Sequence, residues 1–313
     1  MGRDKKRPDG YSPFLEFYLR KKLEGGSLLV PGIFHGKLDA IARRECLVLV
    51  HGFNNTEGEA AAAYFGFRNR QTEIFSPVYG SVFERRFGDS FWPGDADWWW
   101  FFDKVDFLIY PSAVHTAVKA GEQLGNLLLS MPNLERVDFI AHSLGCRVTL
   151  EALQHLRARA VPLVERVCLM AAAVPSEMIE PGGRYYDLLR DLAGEGTQIQ
   201  VLRSSDDTVL HYAFPPGQQL AGSGEASHRA LGRFGILPTM PGFGAALTER
   251  QIAGAGHGDY WGQSRTAASV SATDAAGRFL RLGEVDRELG VIRPVGAPIV
   301  EEGVRELGSV RSF

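Results

Sequence analysis

Three cysteines in 313 residues are too few for a disulfide framework. Cys46, Cys146 and Cys168 each stand in or beside an apolar segment, with neither paired nor metal-like spacing. Free, buried thiols in a reducing, cytoplasmic compartment are the expectation. An excess of charge of either sign is also missing. Lys and Arg total 34 against 37 Asp and Glu, a formal net charge of −3. No overall pull toward nucleic acid or an anionic membrane follows from that balance. The short basic cluster Arg3-Asp4-Lys5-Lys6-Arg7 reads as a solvated terminus. No stretch reaches the roughly 18 to 20 apolar residues that a membrane helix requires. No secretory leader is expected either, because mixed polar sequence precedes the first long apolar run. Internal repeats and low-complexity tracts are absent, which excludes solenoids and linker arrays.

What the sequence does have is a set of apolar runs separated by helical patterns, in a chain that is 45% hydrophobic. That length and composition suit one large α/β domain with a sheet buried on both faces. Cys46-Leu47-Val48-Leu49-Val50 is continuously apolar, as a strand covered on both sides must be. It ends at His51-Gly52-Phe53-Asn54-Asn55, where Gly and two Asn supply turn chemistry. Val137–Ala141 is a second such strand, closed by His142-Ser143-Leu144-Gly145. A helix is expected from Cys146 to about Arg157, with Val148, Leu150, Leu153 and Leu156 laid against the sheet. Val164–Ala173 and Ile199–Leu202 read as further strands, and Tyr185–Leu192 and Ala113–Leu129 as helices. Strands alternating with helices predict a mostly parallel central sheet with helices on both faces.

Phe107-Leu108-Ile109-Tyr110 reads as a strand on pattern alone. Residues 211–256, rich in Gly and Pro, read as an irregular insertion. The domain limits expected are an N-terminal extension over 1–40, a catalytic-type α/β domain over 41–285 and a C-terminal tail over 286–313.

The run Ala141-His142-Ser143-Leu144-Gly145 matters chemically because of where it lies, between a buried strand and a helix. A serine hydroxyl is a poor nucleophile until a base takes its proton and a sharp turn presents it. Small residues two before and two after the serine let the two backbones approach closely, and Ala141 and Gly145 occupy those positions. Acyl transfer also needs N–H groups aimed at the oxygen that becomes negative, each contributing about 3 to 4 kcal/mol. Leu144, which follows the serine, and Phe53, in the loop after the earlier strand, are the expected donors.

An acid at the end of a later strand and a histidine near the chain's end would complete the set. Ile199–Leu202 leads into Ser204-Ser205-Asp206-Asp207-Thr208-Val209, where either carboxylate fits. Among eight histidines, His51 and His142 lie inside the two turns and are expected to make local hydrogen bonds. His35, His115 and His155 come too early, His211 lies too close to the acid, and His228 sits within the insertion. His257, in Gly256-His257-Gly258 ahead of a final helical segment, is the expected base.

Taken together, Val50-His51-Gly52-Phe53-Asn54-Asn55, Phe91-Trp92-Pro93-Gly94 and Ala141-His142-Ser143-Leu144-Gly145 resemble the α/β-hydrolase (esterase/lipase) superfamily. More narrowly, they resemble bacterial serine hydrolases with a Val-His-Gly-Tyr-Asn-type strand end, a Trp-Pro-Ser or Trp-Pro-Gly turn and an Ala-His-Ser-Met-Gly elbow. The resemblance spans about residues 44 to 263. It implies Asp207 as the acid, because there the acid commonly precedes an x-Val pair such as Thr208-Val209; Asp206 is the alternative. It also implies a core strand just before Trp92-Pro93 and a helix starting near Tyr110 to Ala113, which makes residues 107–110 an approach to that helix.

The implied activity is cleavage of a small-molecule acyl ester through Ser143, His257 and Asp207, with no metal or organic cofactor. Asp103, Asp106 and His115 match no metal template. An acyltransferase, an amide or thioester hydrolase, and a non-catalytic binding scaffold are the alternative readings. Trp98-Trp99-Trp100-Phe101-Phe102 reads as cover for the sheet edge, with an acyl pocket or lid as alternatives. The insertion, with Phe214, Phe234, Ile236, Leu237 and Phe243, is another lid candidate, and either lid would allow peripheral lipid contact. Substrate identity and oligomeric state are not encoded in these motifs.

Overall fold

The computed structural model describes residues 6–23, 26–75, 86–94, 106–157, 162–215, 229–236, 240 and 242–282. The strands are β1 (Leu15–Leu23), β2 (Gly26–Gly36), β3 (Glu45–Val50), β4 (Phe87–Phe91), β5 (Arg136–His142), β6 (Leu163–Met170), β7 (Gln198–Arg203) and β8 (Leu247–Gln251). They form one sheet in the order β2-β1-β4-β3-β5-β6-β7-β8. Only the β1–β2 pair is antiparallel; every other neighbouring pair is parallel. This is the α/β-hydrolase type of sheet, with the C-terminal ends of the parallel strands on one rim.

The helices are α1 (Leu38–Ile41), α2 (Glu57–Phe75), α3 (Asp106–Ser130), α4 (Gly145–Leu156), α5 (Tyr186–Gly194), α6 (Thr208–Tyr212), α7 (Leu231–Phe234) and α8 (Ala267–Phe279). α3 and α4 pack together on one face of the sheet, and α2 and α8 cover the other. Enclosure on both faces explains why β3 and β5 are apolar without alternation: Leu47 to Val50 and Val137, Phe139, Ile140 and Ala141 are all buried. The α4 residues Val148, Leu150, Leu153 and Leu156 are buried as their spacing predicted.

Several expectations change. Residues 107–110 lie in neither a strand nor an approach segment; α3 already begins at Asp106. An apolar run that short fits either state, and here it is the first turns of a 25-residue helix. The third expected strand stops at Met170 rather than Ala173, because Ala171 turns into the left-handed region at φ +43°. Within 211–256 lies β8, which pairs in parallel with β7 and forms one edge of the sheet. Phe214 and Phe243 are buried, while Phe234 is 44% exposed. The 1–40 extension supplies β1 and β2, so its residues 15–36 continue the sheet past β4. The aromatic run 98–102, Asp103, His228, Leu237 and the 286–313 tail lie outside the described residues.

All three cysteines are buried and free. Among the described residues no helix is long and apolar enough to cross a membrane.

Candidate active site

Ser143 follows β5 directly and precedes α4, at the C-terminal rim of the sheet. Its backbone sits in the left-handed region at φ +55°, costly for a residue with a Cβ and held here by the surrounding bonds. Ser143 N–H donates to the Met170 carbonyl at 3.0 Å, and the Ser143 carbonyl accepts from Ala173 and Cys146, each at 3.1 Å. The turn is therefore tied to β6 as well as to its own helix.

Close approach explains the small residues around it. A Cβ on Gly145 would stand 2.2 Å from the His51 carbonyl oxygen and 2.7 Å from that of Val50. Only glycine lets α4 begin this near the end of β3. A Cβ on Gly52 would stand 2.8 Å from the Cβ of Ser143. The loop carrying Gly52 and Phe53 thus lies directly against the serine. Phe53 is partly buried against the core. The Leu144 amide has no acceptor among the described residues, so its N–H is available to a developing oxyanion.

That loop is held from behind by the Trp92-Pro93-Gly94 turn after β4. The Trp92 indole Nε1–H donates to the His51 carbonyl at 2.8 Å, and its ring stacks on the His51 imidazole at 5.5 Å. Asn54 N–H donates to the Gly94 carbonyl at 2.6 Å. The Tyr64 hydroxyl accepts from His51 N–H and donates to the Ser90 carbonyl, bridging β3 and β4. His51 Nδ1–H donates to the carbonyl of Gly52 at 2.8 Å, the local bond expected of it. Burial pushes its pKa down to about 3, so the loop gains a neutral ring and no charge.

Asp206 and Asp207 lie in the turn between β7 and α6 and divide two tasks. Asp207 is fully buried; its Oδ1 accepts from Leu210 N–H at 2.9 Å, capping α6, and its Oδ2 accepts from His257 Nδ1 at 2.8 Å. Its carbonyl is held by Arg233 Nη1 from α7. Asp206 is exposed, and its Oδ2 accepts from Gly254 N–H at 2.8 Å, fastening the loop that leads to His257.

His257 Nε2 lies 2.8 Å from Ser143 Oγ. Residues 143, 207 and 257 therefore meet in one hydrogen-bonded chain. Because a carboxylate only accepts, Nδ1 carries the proton and the Nε2 lone pair faces the hydroxyl. Such an arrangement can draw the proton from the serine as its oxygen attacks a carbonyl carbon.

Two contributors escaped the sequence. Arg233 gave no signal, lying in a segment without period. His142 was expected to bond locally, yet its Nε2–H donates to the carbonyl of His257 at 2.7 Å, across 115 positions of chain. Asp106 and His115 both fall on α3, and among the described residues no His, Cys, Asp and Glu side chains gather as a metal site.

Over residues 33–214, more than half its length, the chain matches the family described as "Alpha/beta hydrolase of unknown function (DUF900)". That span contains Phe53, Ser143, Leu144 and Asp207 and ends before His257. None of the curated proteins is significantly similar. Similar solved structures include an uncharacterized protein from Bacillus cereus, at 14% identity over 76% of this chain and 60% of that one, with a TM-score of 0.38. A Listeria innocua protein is 10% identical over 78% of this chain and 96% of its own, with a TM-score of 0.44. A Pyrobaculum calidifontis esterase is 12% identical over 80% and 78%, with a TM-score of 0.42. This chain thus spans 60% of the length of the first.

Proposed function

The chain belongs to the α/β-hydrolase family that matches residues 33–214, and we propose that it is a serine hydrolase cleaving carboxylic esters through an acyl-enzyme on Ser143. One observation carries this reading. A single imidazole, His257, is 2.8 Å from Ser143 Oγ through Nε2 and 2.8 Å from Asp207 Oδ2 through Nδ1. A histidine serving only structure has no need of a strained serine on one side and a buried carboxylate on the other.

The steps follow from that geometry. His257 Nε2 takes the hydroxyl proton while Ser143 Oγ forms a bond to the ester carbonyl carbon. The carbonyl oxygen becomes negative and is held by the amides of Leu144 and Phe53. Asp207 keeps the imidazole in the productive tautomer and stabilises its cation. The tetrahedral species collapses, the carbon–oxygen bond to the alcohol breaks, and His257 returns the proton to the leaving alkoxide. Water, deprotonated by the same imidazole, then attacks the acyl-enzyme and restores the serine. These steps use a small-molecule ester and water. A cytoplasmic setting suits three buried free thiols.

Reaction with a fluorophosphonate tests the reading. The folded wild type should form one covalent adduct on Ser143, and Ser143→Ala should form none. A folded wild type that stays unlabelled, or an adduct that persists in Ser143→Ala, would overturn it.

A further inference from the structure

From the His142–His257 bond we infer that His142 is a positioning residue, which holds the backbone of His257 so that its imidazole meets Ser143. This rests on reading Ser143, His257 and Asp207 as the reacting group.

His142 is the last residue of β5 and the covalent neighbour of Ser143. It is 6% exposed, and its ring lies 4.8 Å from that of His257, tilted by 50°. Because the His257 carbonyl can only accept, His142 Nε2 carries the proton. The bare Nδ1 has no hydrogen-bond partner among the described residues. It faces the oxyanion loop, where a Cβ on Gly52 would stand 3.1 Å from it. One ring thus fills the space between the loop carrying Phe53 and the loop carrying the base. Its two nitrogens face a carbonyl and Gly52, so neither is directed at Ser143 Oγ or at the nitrogens of His257.

The base loop needs such a hold. His257 sits between two glycines, so its backbone has little stiffness of its own. Other anchors act on neighbours: Asp206 takes the N–H of Gly254, and Asp259 that of Gly256. His142 grips His257 itself. Two adjacent residues at one strand end then hold one histidine at two points, Ser143 at the side chain and His142 at the main chain. The Oγ–Nε2 distance is set through a short, rigid path along β5 instead of through the long chain between them. Burial also keeps the His142 imidazole neutral, with a pKa pushed down to about 3, so no second cation arises beside His257.

The test compares His142→Phe, which keeps a ring but has no donor, with His142→Gln, whose amide N–H can reach the same carbonyl. Three readouts are taken: thermal midpoint, kcat and KM on p-nitrophenyl butyrate, and the downfield proton resonance of the His257–Asp207 hydrogen bond. His142→Phe should lower kcat by about tenfold to a hundredfold, the scale of a misplaced catalytic group, while KM stays near wild type. Its downfield resonance should shift or broaden, and His142→Gln should restore both. Wild-type kcat and resonance in His142→Phe would overturn the inference. So would equal losses in both variants that track the thermal midpoint, because that pattern belongs to packing. The resonance requires no turnover, so it still decides the role of His142 if the wild type fails to take the fluorophosphonate and the hydrolase reading falls.

Discussion

Gly52 lies against Ser143 so closely that a methyl group on it would come within 2.8 Å of the serine Cβ. The two residues stand at the ends of neighbouring strands, β3 and β5, which pair in parallel with Val50 opposite Ala141. That register brings the loop carrying Gly52 and Phe53 to Ser143, and glycine is the residue that lets it settle there.

Gly52→Ala should therefore damage the site more than the fold. Relief of the clash requires the loop to lift, moving the Phe53 amide away from where the oxyanion forms. Overpacking of this kind costs about 1 to 3 kcal/mol in stability. Loss of one oxyanion donor costs about 3 to 4 kcal/mol in the barrier, or a hundredfold or more in rate. Fluorophosphonate labelling rates beside thermal melts separate the two effects. An unchanged labelling rate would remove Phe53 from the oxyanion hole.

Substituting the two adjacent aspartates should give unequal results. Asp207→Asn loses the carboxylate that fixes the His257 tautomer, and kcat should fall by about three to four orders of magnitude. Asp206→Ala loses one bond to the Gly254 amide, worth about 1 kcal/mol, and should keep activity to within about tenfold. Steady-state kinetics on one ester are sufficient to compare them. A larger loss in Asp206→Ala would reverse the assignment of the acid.

Asp138, near the opposite end of β5, should make stability depend on pH. Burial raises its carboxyl pKa from 3.8 to about 6, against the lowering influence of Arg86 and Arg166. Its Oδ1 has no hydrogen-bond partner among the described residues, and Arg86 is 3.7 Å from Oδ2. With the folded pKa above the unfolded one, the folded state holds the proton more tightly between these values. The contribution of Asp138 to stability is then fully present below about pH 4 and is lost as pH rises through about 6. Asp138→Asn removes the ionisation and should raise the thermal midpoint at pH 8, by the equivalent of about 1 to 3 kcal/mol, with little change at pH 4. A shift of equal size at both pH values would mean that Asp138 does not titrate in this range.

Legibility in the sequence followed burial. β3 and β5 were readable because enclosure on both faces demands apolar side chains throughout. β8, with the sequence Leu-Thr-Glu-Arg-Gln, was not: at the sheet edge it is held to β7 by main-chain bonds, which any of these residue types can make. β1 alternates, with Leu15, Phe17 and Leu19 buried between Glu16 and Tyr18, and so lacks the continuous apolar run that marks β3 and β5.

The sequence by itself determined the parallel-sheet architecture, the serine turn and the order in which serine, acid and histidine occur. Those features depend on local residue types: apolar runs, small residues at a tight turn, polar residues after a strand. Only the tertiary structure shows Asp207 bonded to His257 and Asp206 bonded to Gly254, and only it reveals His142 reaching His257. Both depend on loops far apart in the chain meeting within hydrogen-bond range. That meeting is governed by strand register and packing, which no short stretch of sequence encodes.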